Sequence, residues 1–424
     1  MTMIVIITIC ILLLIGYLFD LSSARTKIPS VILLLILGWI VRQIADFFSF
    51  KIPDLSGLLP IFGTLGLILI VLEGALELEL NRSKFKLIRK SFLSSFISII
   101  ALSFIISYAF HYFGGISMRE ALINAIPISL ISSSVAISSA KNLSLENKEF
   151  VIYESSLSDI MGVVFFNFAI ENIYVNAHAF LHFGLQVLII CLVSFIATVG
   201  LSFLLGKIDH PIKHAPIIIL IILIYAVSEI FHLPALIFIL FFGLFLSNID
   251  ELKNFKWIRR LNPYEFNKEV SKFREIVMEG AFLIRAFFFI LFGYSFETKE
   301  IINADTFGSA LLIFGVIVII RAIILKVGRL PMFPLLFVAP RGLVTILLFF
   351  SIPATLVFPL VNKSLVIQVI VLTALFMMIG LIITGKKSKK LEDENKEPAA
   401  NVISLATPDI EDTSESLFTK ETES

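Results

Sequence analysis

The chain has 424 residues, of which 58% are hydrophobic and only 16% are charged, and its formal net charge is +1. A soluble domain carries roughly 45–50% apolar and about 25% charged residues, so the composition excludes a soluble protein and indicates a membrane protein. The basic residues fall in short segments between apolar runs, which excludes a continuous nucleic-acid-binding face. Partners are therefore expected in the lipid bilayer and among small solutes.

The apolar runs are long enough to be membrane-spanning helices. A hydrocarbon core of about 30 Å requires about 20 apolar residues per helix. The first run lacks the basic start and the small-residue cleavage site of a secretory signal, so we interpret it as a span. On this basis the chain contains about thirteen transmembrane helices, at 3–19, 28–41, 58–76, 92–113, 120–140, 150–170, 179–205, 215–231, 233–249, 276–296, 306–325, 335–352 and 364–384.

The connections between these spans predict the orientation of the chain. If the N-terminus is outside, the inward connections carry about four times as many lysines and arginines as the outward ones, as the positive-inside rule requires. The C-terminus is then inside. Residues 1–385 form the predicted transmembrane domain, and the polar segment 386–424 is a predicted disordered cytoplasmic tail. The connection 250–275 fits either an amphipathic segment on the inner leaflet or a solvated loop.

The fifth span contains a serine-rich stretch, SLISSSVAISS at 129–139. Serine hydroxyls in a membrane helix often bond back to the helix's own carbonyls, which would give a bent but ordinary helix. Alternatively, the helix is locally unwound, and the hydroxyls and carbonyls around Ser132, Ser133 and Ser134 line a cation site. The residues leave both interpretations open.

The sixth span places two carboxylates inside an apolar stretch, YESSLSDIMGVVFF at 153–166. A charged residue near the middle of a span costs about 2.5–3.5 kcal/mol on insertion scales, so each needs a partner or a function. At 100° per residue, Ser155, Ser158 and Asp159 share one helical face, whereas Glu154 points roughly 140° away from the aspartate. The two carboxylates are therefore predicted to contact different neighbours.

The twelfth span contains VAPRGLVTI at 338–346, in which Pro340 removes a backbone donor and Gly342 weakens the helix. This predicts a second broken helix, with Arg341 beside free backbone groups. The fifth and twelfth spans are seven apart, as an inverted repeat of spans one to six on spans eight to thirteen requires. Paired interrupted helices of this kind indicate the substrate site of a secondary transporter.

Other charged residues lie within or near the spans. Arg285 and Glu279 are in the tenth span and are candidates for charges that modulate a site. Glu229 and Arg321 fall near span ends, where long side chains reach the membrane surface, so we expect them to be solvated there.

Seven segments in order resemble the monovalent cation/proton antiporter superfamily, in particular its bacterial sodium/proton branch. The resemblance extends over nearly all of 1–385. Besides the serine-rich fifth span, the segments are IPSVILLLILGWIV (28–41), LEGALELEL (72–80), ESSLSD (154–159), SEIFHLPALIFILFFGLFLSN (228–248), FREIVMEGAFLIRAFFFILFGYSF (273–296) and PRGLV (340–344).

The resemblance implies roles for individual residues. In that family the sixth span commonly reads ESLLND, and its last aspartate binds cation and proton in turn, which implies this role for Asp159. Ser158 stands where asparagine or aspartate is usual. The family's glutamate corresponds to Glu154, which the resemblance pairs with Arg341. Arg285 resembles a basic residue that some branches place near the aspartate.

The fifth span departs from the family pattern. The family often shows Thr-Asp-Pro at the crossing, where this chain has Ser132, Ser133 and Ser134. The alternatives to a sodium/proton exchanger are therefore a potassium-selective exchanger, a leak pathway and a sensor that does not transport. An intramembrane hydrolase is disfavoured, because Asp159 is the only mid-span aspartate and the six histidines lie at or near span ends. We expect no enzyme activity and no cofactor.

A single carboxyl suffices for the expected mechanism. Desolvation favours the neutral form of a carboxyl, so a proton and a cation can compete for Asp159 near physiological pH. Hard cations prefer oxygen ligands, so Ser155, Ser158 and Ser132–Ser134 would complete a site for transported Na⁺, Li⁺ or K⁺. One carboxylate predicts electroneutral, one-for-one exchange. The resemblance also implies a homodimer in a cell membrane, with a bacterial inner membrane expected.

Overall fold

The computed structural model describes residues 2–26, 28–48, 57–78, 84–140, 143–173, 176–207, 214–231, 233–248, 263–301 and 303–404. The regular structure in these ranges is helical. The helices are α1 (Thr2–Thr26), α2 (Ser30–Phe47), α3 (Leu58–Glu77), α4 (Phe85–Gly114), α5 (Met118–Ser129), α6 (Ser133–Ser139), α7 (Leu145–Glu171), α8 (Ala177–Lys207), α9 (His214–Ile230), α10 (Leu236–Ser247), α11 (Pro263–Tyr294), α12 (Thr298–Ile301), α13 (Ala304–Val327), α14 (Leu343–Phe350) and α15 (Lys363–Ser404), with a 3₁₀ turn at Ala354–Leu356.

The all-helical membrane fold predicted from the sequence is confirmed. Within the described ranges, nine helical stretches are long and apolar enough to cross a membrane, and α9 and α10 are shorter apolar helices. Every predicted span overlaps a helix; the fifth is divided between α5 and α6, and the twelfth is helical only in α14. The direction in which the chain crosses the membrane stays a prediction.

The ends of two predicted segments differ from their helices. The predicted connection 250–275 is helical from Pro263 onward, because α11 begins there, and residues 249–262 lie outside the described part of the chain. Helix α15 continues to Ser404, past the predicted domain boundary at residue 385. Residues 405–424 of the predicted tail lie outside the described residues, so the domain boundary and the disorder of the tail remain predictions.

The helices pack as two bundles. In the first bundle, α11 packs along α2 and α3, α10 packs between α3 and α8, and α1 and α9 lie at the sides. The backbones of α2 and α11 approach very closely: a Cβ on Gly38 would lie 2.1 Å from the Ile290 carbonyl oxygen, and one on Gly293 would lie 2.2 Å from that of Leu35. Small residues allow such approach between membrane helices, so dispersion contacts hold this bundle together.

The second bundle consists of α4, α5, α6, α7, α13, α14 and α15. Helix α4 packs on α5, α7 and α13, and α15 packs on α13. Contacts between the two bundles are sparser and are made mostly by α3 with α7 and α14. The second bundle carries the charged residues of the sixth and twelfth spans, and α3 is the first-bundle helix that packs most against it.

Two non-helical segments meet within the second bundle. Helix α5 ends at Ser129, Leu130–Ser132 is extended, and α6 begins at Ser133. The segment before α14 is likewise non-helical up to Gly342. The backbone N–H of Ser132 donates to the carbonyl of Pro340 over 2.9 Å, which joins the two segments. The two predicted broken helices are therefore confirmed, and their relation by an inverted repeat stays a prediction.

Candidate functional site

Asp159 lies near the middle of α7 and is completely buried, with 0% of its surface exposed. Its Oδ2 atom accepts a hydrogen bond from the Ser133 backbone N–H over 3.1 Å and a second one from the Ser133 hydroxyl. Its Oδ1 atom has no hydrogen-bond partner among the described residues. One carboxylate oxygen is thus held in place and the other is unpartnered.

The break in the fifth span explains why Ser133 reaches the aspartate. The first N–H groups of a helix have no partner within it, and Ser133 is the first residue of α6. Ser158, on α7, accepts a hydrogen bond from the Ile131 N–H over 2.9 Å and so fixes the extended segment. The hydroxyls of Ser132 and Ser134 lie 2.9 Å apart and bond to each other.

The predicted site serines therefore divide into different environments. Ser133 is bonded directly to Asp159, whereas Ser158, Ser132 and Ser134 have the contacts described above. The hydroxyl of Ser155 bonds back to the Val151 carbonyl over 2.7 Å. Ser133, Ser158, Ser132 and Ser134 thus meet at the two broken helices, while the Ser155 hydroxyl bonds only within α7, and the roles of all five as cation ligands remain predictions.

Arg341 occupies the opposite end of the same break. Its Nε donates to the Ile128 carbonyl over 2.8 Å and its Nη2 donates to that of Ser129 over 3.2 Å, so it caps the last carbonyls of α5. Its Nη1 donates to the Ala339 carbonyl over 2.6 Å. A cation is favourable where carbonyls accumulate at the C-terminus of a helix. Within the described residues, Arg341 forms no salt bridge.

The predicted pair of Glu154 with Arg341 is wrong. Glu154 is 1% exposed and is bonded instead to both terminal nitrogens of Arg321: Nη1 donates to Oε1, and Nη2 donates to Oε2 over 2.8 Å. The Ser94 hydroxyl, on α4, also donates to Oε1 over 2.5 Å. Three helices, α4, α7 and α13, therefore meet at this carboxylate.

The expectation that Arg321 is solvated near a span end is also wrong, since the residue is only 2% exposed. The irregular segment after α13 covers its guanidinium and accepts its remaining hydrogen bonds: Leu335 O lies 3.2 Å from Nε, and Val338 O lies 3.4 Å from Nη2. Prolines 331, 334 and 340 are the sequence signal for this cover, because proline disfavours a helix there.

Arg285 is paired with a residue that the sequence did not single out. Its Nη1 lies 3.8 Å from Oε2 of Glu73 on α3, and both side chains are largely buried. The other predicted modulating charge, Glu279, is exposed on α11. The effect of either residue on the site stays a prediction.

Comparison with known proteins identifies the family. The sequence model of the protein family described as "Sodium/hydrogen exchanger, transmembrane" matches residues 9–385, almost the whole predicted transmembrane domain. The chain belongs to the sodium/hydrogen exchanger family. The exchanger is therefore a multi-pass membrane transporter of the cation/proton antiport type and not an enzyme, which confirms the family resemblance.

The exchanger also has the fold of a solved antiporter. It matches the sodium proton antiporter MjNhaP1 from Methanocaldococcus jannaschii at pH 8 with a TM-score of 0.63 and 18% identity, covering 89% of this chain and 96% of that one. An electron-microscopy structure of the same protein matches with a TM-score of 0.63 and 17% identity. The match covers 96% of this chain and 100% of that one. None of the curated proteins compared by sequence matches the exchanger.

Proposed function

We propose that the exchanger moves a monovalent cation, sodium in the first place, against protons, and that Asp159 binds both in turn. The observation that supports this most directly is that the two Asp159 oxygens differ in their hydrogen bonding. Ser133 donates twice to Oδ2, while Oδ1 is buried without a partner among the residues described. A buried carboxylate with incomplete compensation favours uptake of a proton or a cation.

Competition at Oδ1 couples the two substrates. A hard cation prefers oxygen ligands and binds the ionised carboxylate, whereas a proton on the same group removes the charge that attracts the cation. The bonds from Ser133 to Oδ2 hold the carboxylate in one orientation during this exchange. Because the mechanism uses one carboxylate, we propose electroneutral, one-for-one exchange.

Alternating access is proposed to come from motion of the second bundle against the first. Asp159 belongs to the second bundle, whose contacts with the first bundle are made mostly by α3. Glycines of α3 lie at these contacts: a Cβ on Gly63 would lie 2.3 Å from Leu347 of α14, and one on Gly66 would lie 3.4 Å from Leu343. Rocking of one bundle against the other around a site at a broken helix is the usual device of such transporters. We further propose a homodimer in a bacterial inner membrane.

Reconstitution in liposomes tests this function. We expect sodium addition to dequench a trapped pH-sensitive dye with the wild-type exchanger and not with Asp159→Asn, while both proteins elute and melt alike in detergent. Clamping the membrane potential should leave the wild-type rate unchanged if exchange is electroneutral. Retained exchange by Asp159→Asn would remove this residue from the mechanism.

The same assay distinguishes a sodium/proton exchanger from the three alternatives that the missing aspartate in the fifth span leaves open, namely a potassium-selective exchanger, a leak pathway and a sensor. Initial rates with sodium, lithium and potassium at two pH values are compared in the wild type. A clear preference for potassium would make the protein a potassium/proton exchanger. Cation flux without proton movement would indicate a leak pathway, and absence of both would favour a sensor.

A further inference from the structure

We propose that Ser156 supplies an oxygen ligand to the transported cation beside Asp159 and contributes to the choice of cation. The proposal rests on the proposed function and adds a residue to its site. In the family pattern ESLLND the corresponding position is leucine, so Ser156 is a feature of this chain rather than of the pattern.

The Ser156 hydroxyl is buried without a hydrogen-bond partner in the part of the chain that the structure describes. The residue is only 3% exposed. Ser155 beside it shows the usual alternative, a bond back to the carbonyl of Val151. A buried hydroxyl without a partner is costly, so the Ser156 hydroxyl has capacity to bind a ligand that reaches it.

Ser156 and Asp159 occupy neighbouring positions on the surface of α7. Ser156 precedes Asp159 by three residues on α7, and residues at that spacing are neighbours on a helix surface, with Cβ atoms about 5–6 Å apart. An ion of calcium or sodium size binds oxygen at about 2.3–2.6 Å, so one ion can bridge two side chains at that separation. Both Ser156 Oγ and Asp159 Oδ1 lack a hydrogen bond among the described residues.

Ser156 also faces the boundary between the two bundles. A Cβ on Gly74 of α3 would lie 2.8 Å from Ser156 Oγ and 3.7 Å from Ser156 Cβ. The glycine therefore leaves space for the hydroxyl in its present rotamer. A ligand at this boundary contacts a cation from the side on which the first bundle lies, whereas Ser133 holds Asp159 from the broken helix.

Cation titrations of exchange test the proposal with three variants. Ser156→Ala removes the hydroxyl, and Ser156→Cys keeps the size while replacing oxygen by sulfur, a poor ligand for hard cations. Ser202→Ala is the matched control, because Ser202 on α8 is equally buried and its hydroxyl also has no partner among the described residues.

We expect both Ser156 variants to raise the half-saturating sodium concentration by about three- to tenfold, the equivalent of roughly one polar contact. The ratio of sodium to potassium affinity should change as well. The melting temperature should not fall in any of these variants, and Ser202→Ala should leave the sodium and potassium affinities as in the wild type. Gly74→Ala, which displaces the hydroxyl, should weaken affinity in the wild type but add nothing to Ser156→Ala.

Unchanged affinities for sodium, lithium and potassium in Ser156→Ala would overturn the proposal, as would a shift no larger than that of Ser202→Ala. Such a result leaves the proposed function intact when Asp159→Asn still abolishes exchange. Absence of exchange by the wild type would overturn both proposals.

Discussion

Two carboxylates on one helix, Glu154 and Asp159, differ in how far their charge is compensated by neighbouring groups. Glu154 and Asp159 lie five residues apart on α7, and both are almost fully buried. Both oxygens of Glu154 are bonded to the guanidinium of Arg321, and Ser94 donates to one of them. Asp159 receives bonds on one oxygen only, both from Ser133.

The difference shows that burial alone does not mark a binding site. Glu154, with donors on both oxygens and an opposite charge beside it, is already compensated, so it fixes α7 against α4 and α13. A carboxylate with one free oxygen retains capacity for a substrate. The predictions below test this distinction, beginning with the largest expected effect.

Removing the charge of Glu154 should destabilise the protein strongly. Glu154→Gln leaves Arg321 buried without its counter-charge, and breaking a buried pair in this way costs about 3–5 kcal/mol. Thermal unfolding in detergent measures the loss. Asp159→Asn is the matched control and should melt close to the wild type, because its side-chain oxygen can still accept from Ser133.

A double variant separates the pair from its surroundings. If Glu154 and Arg321 stabilise the protein mainly through each other, Glu154→Gln combined with Arg321→Gln should cost less than the sum of the two single variants. Additive losses would mean that the backbone contacts of Arg321 to Leu335 and Val338 matter more than the ion pair.

Replacing the planar guanidinium of Arg341 should have a smaller effect. Arg341→Lys keeps the positive charge, but one ammonium group cannot reproduce the planar set of N–H donors that bonds to the carbonyls of Ile128, Ser129 and Ala339. We expect a loss of about 1–3 kcal/mol from carbonyls left without a donor. Thermal unfolding again measures it, and a melting temperature equal to that of the wild type would show that charge alone caps α5.

Removing one hydrogen bond to Asp159 should change the affinity for the cation more than the stability of the fold. Ser133→Ala removes the hydroxyl donor and keeps the backbone N–H, so the ionised carboxylate loses one of two hydrogen bonds. At fixed pH we expect the half-saturating sodium concentration to rise about tenfold, since a hydrogen bond to a charged group contributes about 1.5–3 kcal/mol. Ser132→Ala serves as the control, because Ser132 is bonded to Ser134 instead.

The smallest effect is expected for the third donor to Glu154. Ser94→Ala removes one hydrogen bond while the ion pair with Arg321 persists, so stability should fall by about 1 kcal/mol. Sodium affinity should not change. A change in affinity without a change in melting temperature would place Glu154 in the binding site and contradict the comparison.

Much of this architecture could be predicted from local sequence patterns. Runs of apolar residues predicted the spans, and Pro340 with Gly342 predicted the break near Arg341. Helical periodicity predicted that Glu154 and Asp159 face different neighbours, as the structure shows.

The partner of Glu154 could not be predicted in the same way. Periodicity gives the direction of a side chain but not which residue from a distant span lies there. Arg321 appeared to be near water because its span ends soon afterwards, yet the proline-containing segment that follows folds back over it. The extended backbone at Leu130–Ser132, which brings Ser133 to Asp159, depends on tertiary contacts with Ser158 and Pro340.

The most direct test compares the two neutralised carboxylates in one experiment. Liposomes containing equal amounts of folded wild type, Asp159→Asn and Glu154→Gln are assayed for sodium-driven proton movement below the melting temperature of the least stable variant. The comparison predicts no exchange by Asp159→Asn, and exchange by Glu154→Gln with the sodium affinity of the wild type. Exchange by Asp159→Asn, or loss of sodium affinity in Glu154→Gln, would contradict it.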